Sequence, residues 1–349
     1  MQMRNARILP AAACIVLLAG ASGCGSKPPS SDEASLKMFS PLPDTVPPKS
    51  AGPTEARVQL GRMLYYDTRL SRSQTVSCNS CHDLEKYGVD GAATSLGFKQ
   101  QHGNRNSPTV YNAAVHFVQF WDGRAPDVEA QAKGPVMNPV EMAMPDEAAV
   151  VAVLDSMPEY VTAFQKAFPD DKKPVTFDNM ATAIGTFERG LLTPSRWDKY
   201  LKGDTTALSA QEQAGFHAFA AAGCGTCHAG ALLGGNLYQR IGMLKPYPDT
   251  SDPGRFNITK IESDRMVFKV PSLRNVAKTA PYFHNGKVGT LDQAVTQMAD
   301  YQLDKALTPA EVSSIVTFLN ALTGDLPASY IQKPELPKST AKTPKPSEG

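Results

Sequence analysis

The sequence reads CNSCH at residues 78–82 and CGTCH at residues 224–228, and these two stretches decide the fold. Each has the form C-x-x-C-H, which is the attachment signature of a c-type haem. Two thiols on one helical turn can form thioethers with the vinyl groups of one porphyrin, and the histidine that follows can ligate the iron. The two stretches contain every cysteine after Cys24. The sequence therefore predicts two covalently bound c-type haems, attached through Cys78, Cys81, Cys224 and Cys227 and ligated by His82 and His228.

A zinc site or a pair of disulfides is the alternative interpretation of these four cysteines. The two C-x-x-C pairs lie 146 positions apart, whereas the pairs of a four-cysteine zinc ribbon are separated by tens of residues at most. A disulfide within a C-x-x-C loop is typical of a thioredoxin-like βαβ unit, and no such pattern is visible. The haem interpretation is favoured over these two.

Length and charge set the broad class. The chain has 349 residues, enough for two domains of ordinary size. Its formal net charge of +1 provides no strong field for binding nucleic acid or a membrane surface. The 28 prolines and 26 glycines are many for a helical protein, and they indicate much irregular chain around the helices.

The N-terminus has the features of an export signal, which we place at residues 1–23. Two arginines precede residues 8–21, which are mostly apolar but too few to cross a bilayer. The sequence before Cys24 resembles a bacterial lipobox, in which this cysteine would carry a lipid anchor, although Ala21 stands where Leu is usual. The alternative is an ordinary signal peptide cut near Gly23. Both interpretations predict a periplasmic protein, and the first adds membrane anchoring.

The pattern between the termini is helical, with a loose internal repeat of helix, haem motif, loops and helix. An apolar stripe precedes the first motif at Ala56, Leu60, Met63 and Leu64. Ser209 and Glu212 form a capping box before the second motif, and another helix begins at Thr308 with Pro309 at its first position. No convincing run of alternating strand residues is present. We therefore predict a mainly α fold with two cytochrome c-like haem domains in tandem.

The predicted domain boundaries follow composition. The chain after the export signal is rich in Pro and Ser, and its C-terminal end holds several Pro and Lys with little apolar content. We predict a linker over residues 24–53, an N-terminal haem domain over 54–200, a C-terminal haem domain over 201–325 and a disordered tail over 326–349.

The segment 117–144 carries polar groups that suit peroxide chemistry near a haem. Glu141 offers a carboxylate that can move a proton from the inner to the outer peroxide oxygen, so that water leaves. Gln131 offers an amide that can orient the peroxide and screen the developing charge. The alternative for Glu141 is a solvated surface group, which is the usual state of a glutamate in a loop.

Several further stretches resemble the bacterial di-haem cytochrome c peroxidase family, to which MauG is related. Besides the two haem motifs they are QFWDGR at 119–124, GPVMNPVEM at 134–142, VPSLRN at 270–275 and TAPYFH at 279–284. The resemblance runs from about residue 61 to residue 324, nearly the whole mature chain. It implies an enzyme that reduces hydrogen peroxide to water.

The resemblance implies a different role for each haem. The N-terminal haem is the peroxidatic one, with His82 as its proximal ligand, Gln131 as the peroxide-orienting amide and Glu141 as the acid/base. The C-terminal haem receives electrons and is ligated by His228 and by Met298, which lies fourteen residues after the histidine of TAPYFH. His/Met ligation raises the reduction potential, which suits a haem that accepts an electron. The alternative for Met298 is a core methionine on a helix.

Two features between the domains are also implied by the resemblance. Trp121 occupies the position between the haems at which an indole can relay an electron, and its alternative is a buried packing aromatic. A calcium site is implied at the side chain of Asn106 and at the carbonyls of Thr279 and Pro281, since oxygen ligands suit Ca²⁺. That ion would help to fix the relative position of the haems.

One position departs from the family pattern. Many members close the oxidised peroxidatic haem with a distal histidine sixteen residues after the proximal one, and this chain has Phe98 there. Phenylalanine cannot ligate iron, so we expect the first haem to be open at rest, without reductive activation. His102 would need a rearranged loop to serve instead, and a surface histidine is the favoured interpretation. His116 and His217 are interpreted as structural.

We therefore predict a cytochrome c peroxidase that takes electrons from a small exported cytochrome c or cupredoxin, and the resemblance implies a homodimer. A MauG-like oxidase acting on a protein substrate is one alternative. Met298 disfavours it, because MauG-type members have a tyrosine at that position. A non-enzymatic di-haem electron carrier is the other, and Phe98 disfavours it because it leaves an iron site open.

Overall fold

The computed structural model describes residues 35–47 and 55–347, and the fold is mainly α, as predicted. The helices are α1 (Glu55–Tyr66), α2 (Cys78–Cys81), α3 (Val128–Met137), α4 (Glu147–Asp155), α5 (Pro158–Ala167), α6 (Phe177–Glu188), α7 (Arg196–Leu201), α8 (Ala210–Ala222), α9 (Phe256–Thr259), α10 (Leu291–Leu303), α11 (Pro309–Ala321) and α12 (Ala328–Ile331). Two short strands, β1 (Tyr238–Arg240) and β2 (Val267–Lys269), pair in antiparallel fashion. Single 3₁₀ turns occupy Thr68–Leu70, Leu84–Lys86, Phe98–Gln100, Ala113–Val115, Cys224–Thr226, Glu262–Asp264 and Val276–Lys278.

The N-terminal core is built around the contact of α1 with α6. Leu60 and Leu64 of α1 are fully buried there, which confirms the apolar stripe predicted before the first haem motif. At Gly61 the two helices come so close that a Cβ would lie 1.9 Å from the carbonyl oxygen of Ala183. A larger residue would force the helices apart, so glycine sets their spacing.

The C-terminal core is built in the same way around α8 and α11. The predicted capping box of Ser209 opens α8, and Thr308 opens α11 in the same way, at the predicted helix start. A Cβ on Gly215 of α8 would lie 2.2 Å from the carbonyl oxygen of Ser314 on α11. Each of the two domains therefore packs a pair of helices in a close contact that requires glycine.

The chain passes from one core to the other between Leu191 and Trp197. Leu191 belongs to the N-terminal core and Trp197 to the C-terminal core, so the passage lies a few residues before the boundary predicted at residue 200. Beside Trp197, Asp198 Oδ1 accepts a hydrogen bond of 2.9 Å from Arg274 Nη2, and both side chains are buried. This ion pair ties α7 to the VPSLRN segment of the same domain.

Both ends of the described chain pack on the domains. Ile331 of α12 is 6% exposed within the N-terminal core, and its carbonyl accepts a hydrogen bond of 2.5 Å from Tyr66 Oη. The prediction of a disordered tail is therefore wrong for residues 326–347, because apolar contacts and hydrogen bonds hold them. Residues 35–47, predicted as part of a linker, place Phe39 in the C-terminal core.

The predicted signal peptide over residues 1–23 and the predicted lipidation site at Cys24 lie outside the described residues. The last residues of the predicted linker, 48–54, lie outside them too. Within the part of the chain that is described, no helix is long and apolar enough to cross a membrane.

Candidate active site

The first haem motif opens onto a cavity of about 630 Å³. Cys78, Cys81 and His82 line this cavity, and so do Gln131 and Glu141, the two predicted catalytic groups. The volume falls within the range of roughly 300–1,000 Å³ that ligand pockets occupy. The structure thus brings a predicted iron ligand, an amide and a carboxyl into one cavity.

His82 is oriented so that one ring nitrogen is available for a metal. Its Nδ1 lies 2.9 Å from the carbonyl oxygen of Pro108, a contact that fixes the proton on Nδ1 and leaves Nε2 for ligation. Burial lowers the pKa of His82 below its usual value, which keeps the imidazole in the neutral form that binds metals. The carbonyl of His82 accepts a hydrogen bond of 2.8 Å from Tyr65 Oη, which anchors the motif to α1.

A turn after α3 positions Glu141. The helix ends at Met137, and the side chain of its C-cap residue, Asn138, donates a hydrogen bond of 2.8 Å to Glu141 Oε1. Burial raises the pKa of Glu141, while the charge of Arg124 and the hydrogen bond from Asn138 act in the opposite direction. Glu141 therefore differs from a solvated surface group and exchanges its proton at a higher pH.

Two more polar side chains complete the first cavity. Gln131 lies on α3, whose N-cap Asp127 accepts a hydrogen bond of 2.8 Å from the backbone of Ala130. Arg124 holds its guanidinium 3.5 Å from the ring centroid of Phe120 and pairs with a carboxylate, Asp122, at 2.8 Å. The cavity therefore combines an amide, a carboxyl and a guanidinium near the haem motif.

The second haem motif opens onto a smaller cavity of about 240 Å³. Cys224, Cys227 and His228 line it, together with Met298 from α10, the predicted sulfur ligand. His228 Nδ1 lies 3.0 Å from the carbonyl oxygen of Leu233, which leaves Nε2 available as in the first cavity. Burial again lowers the pKa of the histidine. Both predicted ligands of the second iron therefore face one space.

Trp121 lines both cavities. Its Nε1 donates a hydrogen bond of 2.9 Å to the carbonyl oxygen of Asn106, and its own carbonyl accepts one of 2.7 Å from the backbone of Lys269. One of these partners belongs to each domain. The indole is therefore held in place by a backbone group of each domain.

These surroundings fit two c-type haems better than zinc or disulfides. The four cysteines of the motifs are free thiols, and the two pairs line different cavities. Across residues 35–47 and 55–347, no group of three or more His, Cys, Asp or Glu side chains could hold a metal ion, which excludes a four-cysteine zinc site there. Each cavity instead offers two thiols and one neutral histidine, as haem attachment requires.

Known proteins match this chain along most of its length. A family profile described as di-haem cytochrome c peroxidase matches residues 55–206. Cytochrome c551 peroxidase of Pseudomonas aeruginosa is 47% identical, over 99% of this chain and 100% of that protein. The chain belongs to the di-haem cytochrome c peroxidase family. Cytochrome c551 peroxidase of Nitrosomonas europaea is 48% identical, over 86% of this chain and 89% of that protein.

A solved structure agrees with this membership. A MauG-like protein associated with microbial copper homeostasis superposes with a TM-score of 0.73 at 29% identity, covering 84% of this chain and 98% of that one. Membership in the di-haem peroxidase family confirms three predictions: tandem haem domains, two c-type haems, and a cytochrome c peroxidase as the kind of enzyme.

In this di-haem peroxidase Phe98 is not among the described residues that line the first cavity, although its neighbour Gly97 is. The Phe98 ring is 6% exposed and lies 5.6 Å from the guanidinium carbon of Arg72. The backbone N–H of Phe98 donates a hydrogen bond of 2.7 Å to the carbonyl oxygen of Glu141. A Cβ on Gly97 would lie 2.2 Å from the carbonyl oxygen of Val140, so this loop packs tightly against the turn that carries Glu141.

His102 lies on the surface of the same loop. It is exposed and forms an isolated bridge with Leu96, and its Nδ1 is 3.1 Å from Thr94 Oγ1. It is absent from the described residues that line the first cavity. This position agrees with the interpretation of His102 as a surface histidine.

The three predicted calcium ligands, Asn106, Thr279 and Pro281, all line the second cavity. Asn106 Nδ2 donates a hydrogen bond of 2.9 Å to the carbonyl oxygen of Ala92, which leaves Oδ1 as the atom available to a cation. The backbone N–H of Asn106 bonds to the carbonyl oxygen of His284 at 2.8 Å. The two domains therefore meet at this residue.

Further charged groups of the first cavity were not predicted from the sequence. Arg105 joins the domains by pairing with Asp122 at 2.5 Å and with Asp252 at 2.6 Å. Glu188 ends α6 beside the cavity, and burial together with the charge of Glu129 raises its pKa to about 8. Neither residue belongs to a motif of its own, because only tertiary packing brings it to the cavity.

His116 and Lys269 were also missed. His116 was interpreted as structural, yet it lines both cavities, and so does Lys269. Lys269 Nζ lies 2.9 Å from His116 Nδ1. The sequence offered one signal for this pair, a lysine directly before the VPSLRN stretch. The pattern of residues around that lysine does not distinguish it from a surface lysine.

Proposed function

We propose that this di-haem peroxidase reduces hydrogen peroxide to water in its first cavity, with electrons from a small exported cytochrome c or cupredoxin. Each peroxide consumes two electrons and two protons and leaves as two waters. One observation carries the proposal: Glu141, a partly buried carboxyl with a raised pKa, lines the same cavity as His82. The haem supplies peroxide binding and redox chemistry, and the side chains supply orientation and proton transfer.

Glu141 is the proton-transfer residue of this proposal. Its Oε1 accepts the hydrogen bond from Asn138, so Oε2 is the atom that takes a proton from peroxide and returns it to the departing oxygen. Gln131 donates a hydrogen bond from its amide and orients the peroxide. Arg124 adds a positive charge that favours the carboxylate form of Glu141.

Electrons would enter through the C-terminal domain, where His228 and Met298 would hold the second iron. This assignment is supported by their shared cavity and by the high potential that a His/Met pair gives. Trp121 relays electrons to the first site, and its contact with both cavities supports that role. Asn106 and its two partner carbonyls bind Ca²⁺ and hold the domains in register.

The peroxidatic site is open at rest and needs no reductive activation. Phe98 stands at the position of the usual distal histidine and is not among the described residues that line the cavity, and His102 lies at the surface. The enzyme works in the periplasm, which the export signal supports, and a lipid on Cys24 anchors it to the membrane. Two copies form a homodimer.

A MauG-like oxidase acting on a protein substrate is the second candidate. The superposition with a MauG-like protein favours it. Met298 favours the peroxidase instead, because the sulfur ligand makes the second site an electron acceptor rather than a tyrosine-ligated centre.

The test is steady-state peroxide turnover by Glu141→Gln, with the haem content of each preparation measured first. We expect a loss of about 10²–10⁴-fold, the usual contribution of general acid–base catalysis. Glu147→Gln, an exposed glutamate in the first turn of α4, is the matched control and should keep full turnover. Full turnover by haem-replete Glu141→Gln would contradict the proposal.

A further inference from the structure

Lys269 is a buried cation at the end of β2. It is 5% exposed, and no carboxylate of residues 35–47 or 55–347 lies within ion-pair distance of its Nζ. The other two cations of the first cavity each have such a partner, since Arg105 and Arg124 pair with aspartates. A buried ammonium without a counterion is costly, so the charged form of Lys269 needs a negative group other than the described side chains.

His116 fixes the direction in which the lysine points. Lys269 Nζ lies 2.9 Å from His116 Nδ1, and burial together with the charge of Lys269 lowers the pKa of His116 well below its usual value. The imidazole is therefore neutral and accepts a hydrogen bond at Nδ1. Its Nε2 then carries a proton, and within the described chain this buried atom has no partner.

The second cavity lacks any other charge. Among the described residues that line it, Lys269 is the only Lys, Arg, Asp or Glu. A c-type haem carries propionate carboxylates, and each needs a cation or several hydrogen bonds in an apolar cavity. Burial lowers the pKa of Lys269 to about 7, so an adjacent carboxylate would favour its charged form at neutral pH.

We propose that Lys269, held in place by His116, binds a propionate carboxylate of the haem in the C-terminal domain. The proposal rests on the two haems of the family and is independent of the peroxide chemistry at Glu141. The backbone N–H of Lys269 also donates a hydrogen bond to the carbonyl oxygen of Trp121. Lys269 therefore lies next to the residue that is proposed to relay electrons between the two sites. A positive charge next to a haem favours the reduced iron, and Lys269 therefore raises the potential of the electron-accepting haem.

The test compares Lys269→Met and Lys269→Arg by spectroelectrochemical titration of each haem, without peroxide, after haem content has been confirmed. In Lys269→Met we expect the ratio of reduced to oxidised C-terminal haem at a fixed potential to fall about tenfold, which is about 59 mV for one electron. In the same variant, the resonance Raman band of the propionates of the C-terminal haem should shift. Lys269→Arg keeps the charge and should restore most of the potential. Lys245→Met, an exposed lysine of the same domain, should change neither property.

An unchanged potential and propionate band in haem-replete Lys269→Met would overturn the proposal, and so would a change confined to the N-terminal haem. If Lys269→Met does not accumulate, Lys269→Gln replaces it, because glutamine keeps an N–H donor but no charge, and the same fall is expected. His116→Asn should lower the potential by less than Lys269→Met. None of these outcomes depends on turnover, so they are separable from a failure of the Glu141 test.

Discussion

The two haem cavities differ far more in the side chains that line them than in their frame, by which we mean the orientation of the motif histidine and the helix contacts of each domain. In both, the motif histidine directs Nδ1 to a backbone carbonyl, at 2.9 Å in His82 and 3.0 Å in His228. Both domains also pack their helices across a glycine contact. The first cavity measures about 630 Å³ and contains Glu141, whereas the second measures about 240 Å³ and contains Met298.

This difference shows how one frame serves two purposes. A larger space with a proton-exchanging carboxyl allows a small reactant to bind and to be protonated. A smaller space with a sulfur ligand saturates the metal and tunes its potential. Under the proposed function, the frame alone does not decide whether such a domain is a catalyst or an electron acceptor; the residues that line its cavity do.

The largest expected difference between the two cavities is in proton transfer, which only the first should carry out. A solvated glutamate has a pKa of about 4.3, and burial raises the pKa of Glu141. On acidification, Glu141 therefore loses its base form at a higher pH than a solvated glutamate does. The rate of the reaction with peroxide should therefore fall as pH drops through that raised pKa. Stopped-flow rates as a function of pH should show this acid limb, and Glu141→Gln should lack it while being about 10²–10⁴-fold slower. An identical limb in the variant would assign it to another group.

The sulfur ligand of the second cavity gives the next largest effect. Met298→Leu should lower the potential of the C-terminal haem by roughly 100 mV or more, within the range of about 0.8 V over which axial ligands act. Met243→Leu, an exposed methionine of the same domain, is the control. Potentiometric titration measures both. An unaltered potential in Met298→Leu would mean that the methionine is a packing residue.

The shared frame predicts the smallest and most equal effects. Gly61→Ala and Gly215→Ala each push a Cβ into a backbone carbonyl of the facing helix, so each should destabilise the protein by about 1–3 kcal/mol. Gly289→Ala meets no atom within 4 Å and should change the free energy of unfolding by less than about 0.5 kcal/mol. Denaturant unfolding of the three variants compares them. A large effect at only one of the two contacts would break the likeness between the domains.

Features that are local in the chain were predictable from the sequence. A C-x-x-C-H motif carries its thiols and histidine on one turn, and capping boxes such as that of Ser209 act over four residues. Gln131, Glu141 and Met298 required the family resemblance, because long stretches of chain separate them from their haem motifs. The predicted position of Trp121 likewise depended on that resemblance.

Contacts between distant segments were not predictable. Lys269 and His116 meet across 153 positions, and neither residue type signals the partner. The C-terminal residues 326–347 have a composition typical of disorder, yet Ile331 packs into the N-terminal core. In both cases tertiary packing overrides what composition and spacing indicate.

Low-temperature EPR of the fully oxidised protein carrying both haems tests the central claim most directly. The account predicts one high-spin signal from the His82 site, which has no distal ligand, and one low-spin signal from the site of His228 and Met298. Two low-spin signals would contradict it, because another residue would then close the first iron despite Phe98. In that case the proposed contrast would fail, because neither site would have an iron position free for a reactant.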